Sequence, residues 1–231
     1  MRAYREPPFL EPLSSTFVYV AWSVDPVRVG PFVRPSDRRR RKIDEIRGIA
    51  GELTDHPKIE GVRLFEAAFM PPLPDMPKYD VVMLARARSS ESAAQILQDP
   101  QLARTEPTTV FLAANGARFG VTENGTARAN ILLNHFVGPE DRSAAVAAWR
   151  ALSGWFTAKM GVDNSTLLRT EDAAPYVLVN YVRLPATVVG FLLNQLLRPS
   201  FHRYVRALLK RHQMTSLPLF VRNVPIGSAG A

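Results

Sequence analysis

The 231-residue chain contains no cysteine. No disulfide can staple it and no thiolate can act as nucleophile or metal ligand, which points to a reducing, cytoplasmic setting. Histidine is scarce, with four residues. His56, His135, His202 and His212 fall in separate segments without HxH or HExxH spacing, so no metal site is predicted. GxGxxG, P-loop and GxSxG patterns are missing too, which disfavours nucleotide cofactors and triad hydrolysis. No apolar run approaches the roughly 20 residues of a membrane span. The start, MRAYREPPFLEPL, has none of the apolar length of a signal peptide.

Acidic residues are also in short supply: 21 Asp and Glu against 29 Lys and Arg, a net charge of +8. Such a surplus, mostly arginine, suits a polyanionic partner. It also follows from a simple bias toward Arg, Ala, Val and Pro. No aromatic-studded RNA-binding strand or recognition helix accompanies the charge, so nucleic acid is not expected. A hydrophobic fraction of 46% and a charged fraction of 22% place the chain among globular proteins, long enough for one or two domains.

What is present is periodicity. Residues 1–15 carry three prolines and read as an N-terminal arm. Phe17–Val24 reads as a strand, and Ser36 or Asp37 caps a helix in which Ile43, Ile46, Ile49, Ala50 and Leu53 recur at helical spacing. The RRRRK run opening it reads as solvated first turns, with an anion-binding patch as the alternative. Gly61 is read as ending that segment. Val62–Met70 and Tyr79–Ala87 are predicted strands; Ser89 or Ser90 caps a short helix closed by Asp99-Pro100, and Thr108–Ala114 is a strand. Residues 115–126 read as a glycine-bearing loop, with the boundary between halves around Asn124–Gly125.

The order then repeats. Ile131–Val137 is a strand, and Asp141 caps a helix stopped by Gly161. That helix carries Val146, Trp149, Leu152, Trp155 and Phe156 on its inner face. Asn164–Arg169 and Tyr176–Arg183 are strands, Ala186–Arg211 is helical with a break at Arg198-Pro199-Ser200, and Leu217–Val224 is a strand whose Pro218 suggests an edge. The prediction is therefore an α+β fold of two tandem βαββαβ ferredoxin-like units, residues 16–123 and 124–231, packed sheet to sheet.

This element order, from Phe17 to Val224, resembles the dimeric α/β-barrel superfamily with its two units fused, and within it the antibiotic-biosynthesis monooxygenase and EthD-like groups. The resemblance implies a hydrophobic small-molecule partner and either cofactor-independent oxygenation of an aromatic or polyketide-like compound, or binding alone. Other branches bind haem, which would fall to His202 or His135. Homo-oligomerisation stays open.

Candidate site residues come from the repeated strands. His135 and Tyr181 occupy the middles of LLNHFV and VLVNYVR, alternating with Asn134 and Asn180. One face would line a pocket, with His135 as acid/base, Tyr181 or Asn180 positioning the substrate, and Asn134 beside them. Trp149 and Trp155 would form an aromatic wall. The competing reading has these polar residues satisfying one another in a filled interior. A non-catalytic module binding an anionic protein, lipid surface or nucleic acid is the alternative function. In it the basic amphipathic segment FHRYVRALLKRH would touch a membrane surface.

Overall fold

A computed structural model describes residues 4–123 and 129–227. The boundary expected at Asn124–Gly125 lies outside the described residues, as do both extreme termini. The elements run β1 (Phe9–Leu10), β2 (Thr16–Trp22), β3 (Arg28–Val29), β4 (Phe32–Val33), α1 (Asp37–Asp55), β5 (Ile59–Phe69), β6 (Val81–Ala87), α2 (Ser90–Leu97), α3 (Pro100–Arg104) and β7 (Thr109–Phe119). Then come β8 (Asn130–Val137), α4 (Arg142–Met160), β9 (Ser165–Thr170), β10 (Leu178–Arg183), α5 (Val188–Leu196), a π-helical turn (Phe201–Arg206), α6 (Ala207–Arg211) and β11 (Thr215–Val224). Two compact units result: an N unit of Leu13–Ala114 with Leu219–Ala231, and a C unit of Met1–Pro12 with Asn115–Pro218. Each has the predicted βαββαβ order.

In the N unit the antiparallel ladder runs β7–β2–β6–β5, and the end of β11 adds itself to β5. Ser36 accepts from the Arg39 amide and starts α1; Ser89 does the same for α2 from the Ser92 amide. Each hydroxyl satisfies a backbone donor that lacks a partner in its own helix. Ile43, Ile46, Ala50 and Leu53 then pack against Val20, Trp22, Leu64 and Met83 in one apolar cluster. Every such side chain removed from water contributes roughly 1.5–3 kcal/mol. Helix α2 ends at Leu97, just before Asp99-Pro100 as expected, and the pair also opens α3, with Asp99 as cap and proline at the first turn, where its missing N–H costs nothing. One local expectation fails here. Gly61 lies inside β5 rather than ending α1, which stops at Asp55.

The C unit is ordered β11–β8–β10–β9–β7, with β1 pairing on β7. Here residues 115–119, read as loop, are the second half of β7. The buried Asn115 amide donates to the Ala117 and Leu167 carbonyls, which holds the strand where the glycine pattern suggested a turn. Pro218 marks no edge. β11 pairs with β8 in its C-unit part and with β5 in its N-unit part, and Pro218 lies at the changeover, where a missing ladder donor is tolerated. Asp141 caps α4 through two backbone amides, and Gly161 ends it in the left-handed region, φ 68°.

The arm is part of the C unit. Phe9 packs on Phe119 and Trp149, with the Arg150 guanidinium 3.8 Å from its ring centroid. Glu6 pairs with Arg150 at 3.2 Å, and Tyr4 meets Tyr204 edge-on. The arm crosses α4 at Gly154, where a Cβ would stand 2.7 Å from the Arg5 carbonyl oxygen. Helix α4 is thus buried on two sides, which explains why Ser153 and Gly154 are as sheltered as Trp149 and Leu152.

Candidate functional site

Alternation along β8 and β10 decides what each face presents. Asn134 and Asn180 are direct cross-strand partners, so their side chains share a face; His135 and Tyr181 share the opposite one. The asparagine face looks onto α4 and α5. Between them lies a cavity of about 50 Å³, lined by Phe119, Leu132, Asn134, Phe136, Trp149, Leu152, Ser153, Phe156, Val162, Ser165, Asn180, Val182 and Phe191. Its walls are apolar apart from two amides and two hydroxyls, and it contains no titratable side chain.

The two amides are held alike. Ser216 Oγ donates to Asn134 Oδ1 at 2.8 Å, and Ser165 Oγ donates to Asn180 Oδ1. With both carbonyl oxygens occupied by hydroxyls, the Nδ2 groups are the donors each asparagine can turn to the cavity. Ser153 Oγ is spent on the Arg150 carbonyl at 2.6 Å. The cavity thus holds two cross-strand amides, each fixed through its oxygen by a serine and each with an NH₂ group able to donate. Such a pair suits an anionic or strongly polarised oxygen.

The remaining predicted residues sit elsewhere. His135 is fully buried, its Nδ1 3.3 Å from the Leu217 carbonyl and its ring against Tyr176, centroids 4.6 Å apart. Burial pushes its pKa down to about 4, outweighing the opposing effect of the Leu217 hydrogen bond, so the ring is neutral near pH 7. Tyr181 is equally buried on that same face. Trp149 lines the cavity. Trp155 does not: its Nε1 donates to Ser200 Oγ at 3.1 Å and its ring meets Phe156 and Phe201. A wider, more polar cleft of about 630 Å³ lies at the strand ends, walled in part by Tyr176; its Arg142 and Asp172 pair at 2.8 Å. Ser165 and Ser216, which fix the amides, are not among the residues the sequence pattern points to. The only sequence signal for them is their polarity within apolar strands.

No protein-family model and no curated protein matches the sequence. The fold, by contrast, is shared with solved structures along nearly the whole chain. An anthrone oxidase-like protein superposes with a TM-score of 0.58 at 10% identity, over 97% of this chain and all of the other. A mutant chlorite dismutase from Candidatus Nitrospira defluvii gives 0.55 at 14% identity, over 94% of each chain. A candidate monooxygenase from Fusobacterium nucleatum gives 0.55 at 7% identity, over 94% of this chain and 95% of that one. The chain shares its α+β fold with these solved structures, and both of its βαββαβ units lie in one polypeptide.

Haem, weighed from the sequence at His202 or His135, does not fit this cavity. The lining offers no histidine, cysteine, methionine or tyrosine to ligate iron. His135 points to the other sheet face, and His202 is exposed with Nε2 2.8 Å from the Leu196 carbonyl. Among the described residues no group of three His, Cys, Asp or Glu could hold a metal ion. No helix there is long and apolar enough to cross a membrane.

Proposed function

We propose that the C-unit cavity receives the oxygen-bearing edge of a small, mainly apolar, enolisable aromatic compound, and that the chain oxygenates it without a cofactor. The observation carrying this reading is the cross-strand pair Asn134 and Asn180, each fixed through its Oδ1 by a serine. A carbon acid beside a carbonyl loses its proton more readily when two N–H donors await the enolate oxygen. Such preorganised donors contribute roughly 10²–10³ in rate each. The proton leaves to water, since no titratable group lines the cavity. Trp149, Phe156 and Phe191 supply the apolar walls for a ring.

The chemistry balances without a further reductant. An activated methylene and dioxygen give a ketone and water: one oxygen atom enters the product, and the other leaves with the two methylene hydrogens. The electrons come from the enolate itself. A solved protein of this fold described as anthrone oxidase-like supports the choice of substrate class, and one described as a candidate monooxygenase supports the choice of reaction. A cavity of about 50 Å³ accommodates a ring edge, so a polycyclic compound enters fully only when α4 and α5 part.

The test is oxygen uptake with anthrone, with no flavin, haem or metal added. Wild type consumes oxygen, and Asn134→Leu and Asn180→Leu each lose roughly 100-fold while remaining folded. Uptake that is unchanged in both variants overturns the reading.

A further inference from the structure

Helix α5 has one buried residue, Phe191. Three of its other apolar side chains and the Leu197 cap are exposed: Val189 44%, Leu193 54%, Leu196 51% and Leu197 79%. These positions are spaced i, i+4, i+7 and i+8, so they form a single stripe on one helix face. Solitary exposed leucines are ordinary, but a contiguous stripe marks a surface that something covers.

The charge around the stripe identifies the cover. From Ala173 to Ala231 the sequence holds no Asp or Glu at all, against six arginines and one lysine. Arg203, Arg206, Lys210 and Arg211 are exposed along the segment that follows α5, while Tyr204 and Val205 anchor that segment inward. The two stretches adjoin: exposed His202 bonds the Leu196 carbonyl, and the Phe201 amide bonds the Arg198 carbonyl. Leucines and cations therefore neighbour one another in a stretch whose own sequence supplies no carboxylate. A second copy of the chain would bring cation against cation, which disfavours self-association through this face. An anionic lipid surface takes both features at once, apolar side chains at the acyl boundary and cations at the headgroups.

We propose that α5, the π-helical turn and α6 form a peripheral docking face for an anionic membrane. The test is co-sedimentation of the full chain with phosphatidylcholine vesicles, either pure or containing about one-third phosphatidylglycerol. Binding to the mixed vesicles is expected to exceed binding to the pure ones by roughly tenfold, and to fall when salt is raised to about 0.5 M. Leu193→Ser combined with Leu197→Ser weakens binding to both compositions. Arg203→Glu combined with Arg206→Glu removes the preference for the anionic one. No sedimentation with either vesicle, or binding insensitive to composition, overturns the proposal. So does sedimentation velocity showing a wild-type dimer that the leucine variant dissociates, because the stripe is then covered by a second copy.

Discussion

Arg39 and Asp80 approach to 3.6 Å with neither side chain reaching solvent beyond 2%. Arg39 also pairs with Glu66 at 2.8 Å and donates to the carbonyls of Asp25 and Arg34, while Asp80 accepts from the amides of Val24 and Asp25. Burial still pushes the Asp80 carboxyl above its ordinary pKa, against those two amides and the guanidinium. Removing one partner of a buried pair strands the other, which costs about 3–5 kcal/mol. Arg39→Ala should lower the unfolding free energy by that amount, measured by denaturant titration. A loss below about 1 kcal/mol would show that the network is dispensable.

His135 makes stability depend on pH with a defined sign. Its folded pKa is about 4, below the unfolded value of 6.5. Between these limits the unfolded chain binds a proton that the native chain refuses. The His135 contribution is therefore intact above about pH 6.5 and drains away toward pH 4, with a slope of up to about 1.4 kcal/mol per pH unit. Asp80 acts oppositely, losing stability as pH rises through its raised pKa. Denaturant titrations at several pH values, wild type against His135→Gln, separate the two. The variant should lack the slope between pH 6.5 and 4, and an unchanged slope would exclude His135 as its source.

The arm predicts a third outcome. A methyl group at Gly154 would lie 2.7 Å from the Arg5 carbonyl oxygen and 3.2 Å from that of Tyr4, both backbone atoms that cannot swing aside. Gly154→Ala should lift the arm and break the Glu6–Arg150 pair, exposing residues 4–12 to protease while α4 keeps its helix. Faster cleavage within the arm, with unchanged circular dichroism, is the expected result. Cleavage at the wild-type rate would mean that the arm is held by its other contacts alone.

Local signals in the sequence carried most of the fold. The caps Ser36, Ser89, Asp141 and Gly161 stand where their chemistry placed them, because a cap is decided within four residues. What escaped was long-range. The arm meets Gly154 from well over half the chain length away, and nothing in its own proline-rich pattern names that partner. Arg39 was legible in part: it stands four residues before Ile43, on the same buried stripe, although four consecutive arginines invited a single solvated reading. At the candidate site, alternation separated Asn134 and Asn180 from His135 and Tyr181. Which face would look onto the helices is set by how the whole sheet packs, and the strands alone do not encode it.

The most direct test of the site is the behaviour of the two amide groups themselves. In an anaerobic titration with anthrone, the side-chain NH₂ resonances of Asn134 and Asn180 should shift together and saturate at one concentration. Those of Asn115, committed to two backbone carbonyls, should stay in place. Movement of Asn115, or of neither cavity amide, would contradict the claim that this cross-strand pair holds the ligand's oxygen.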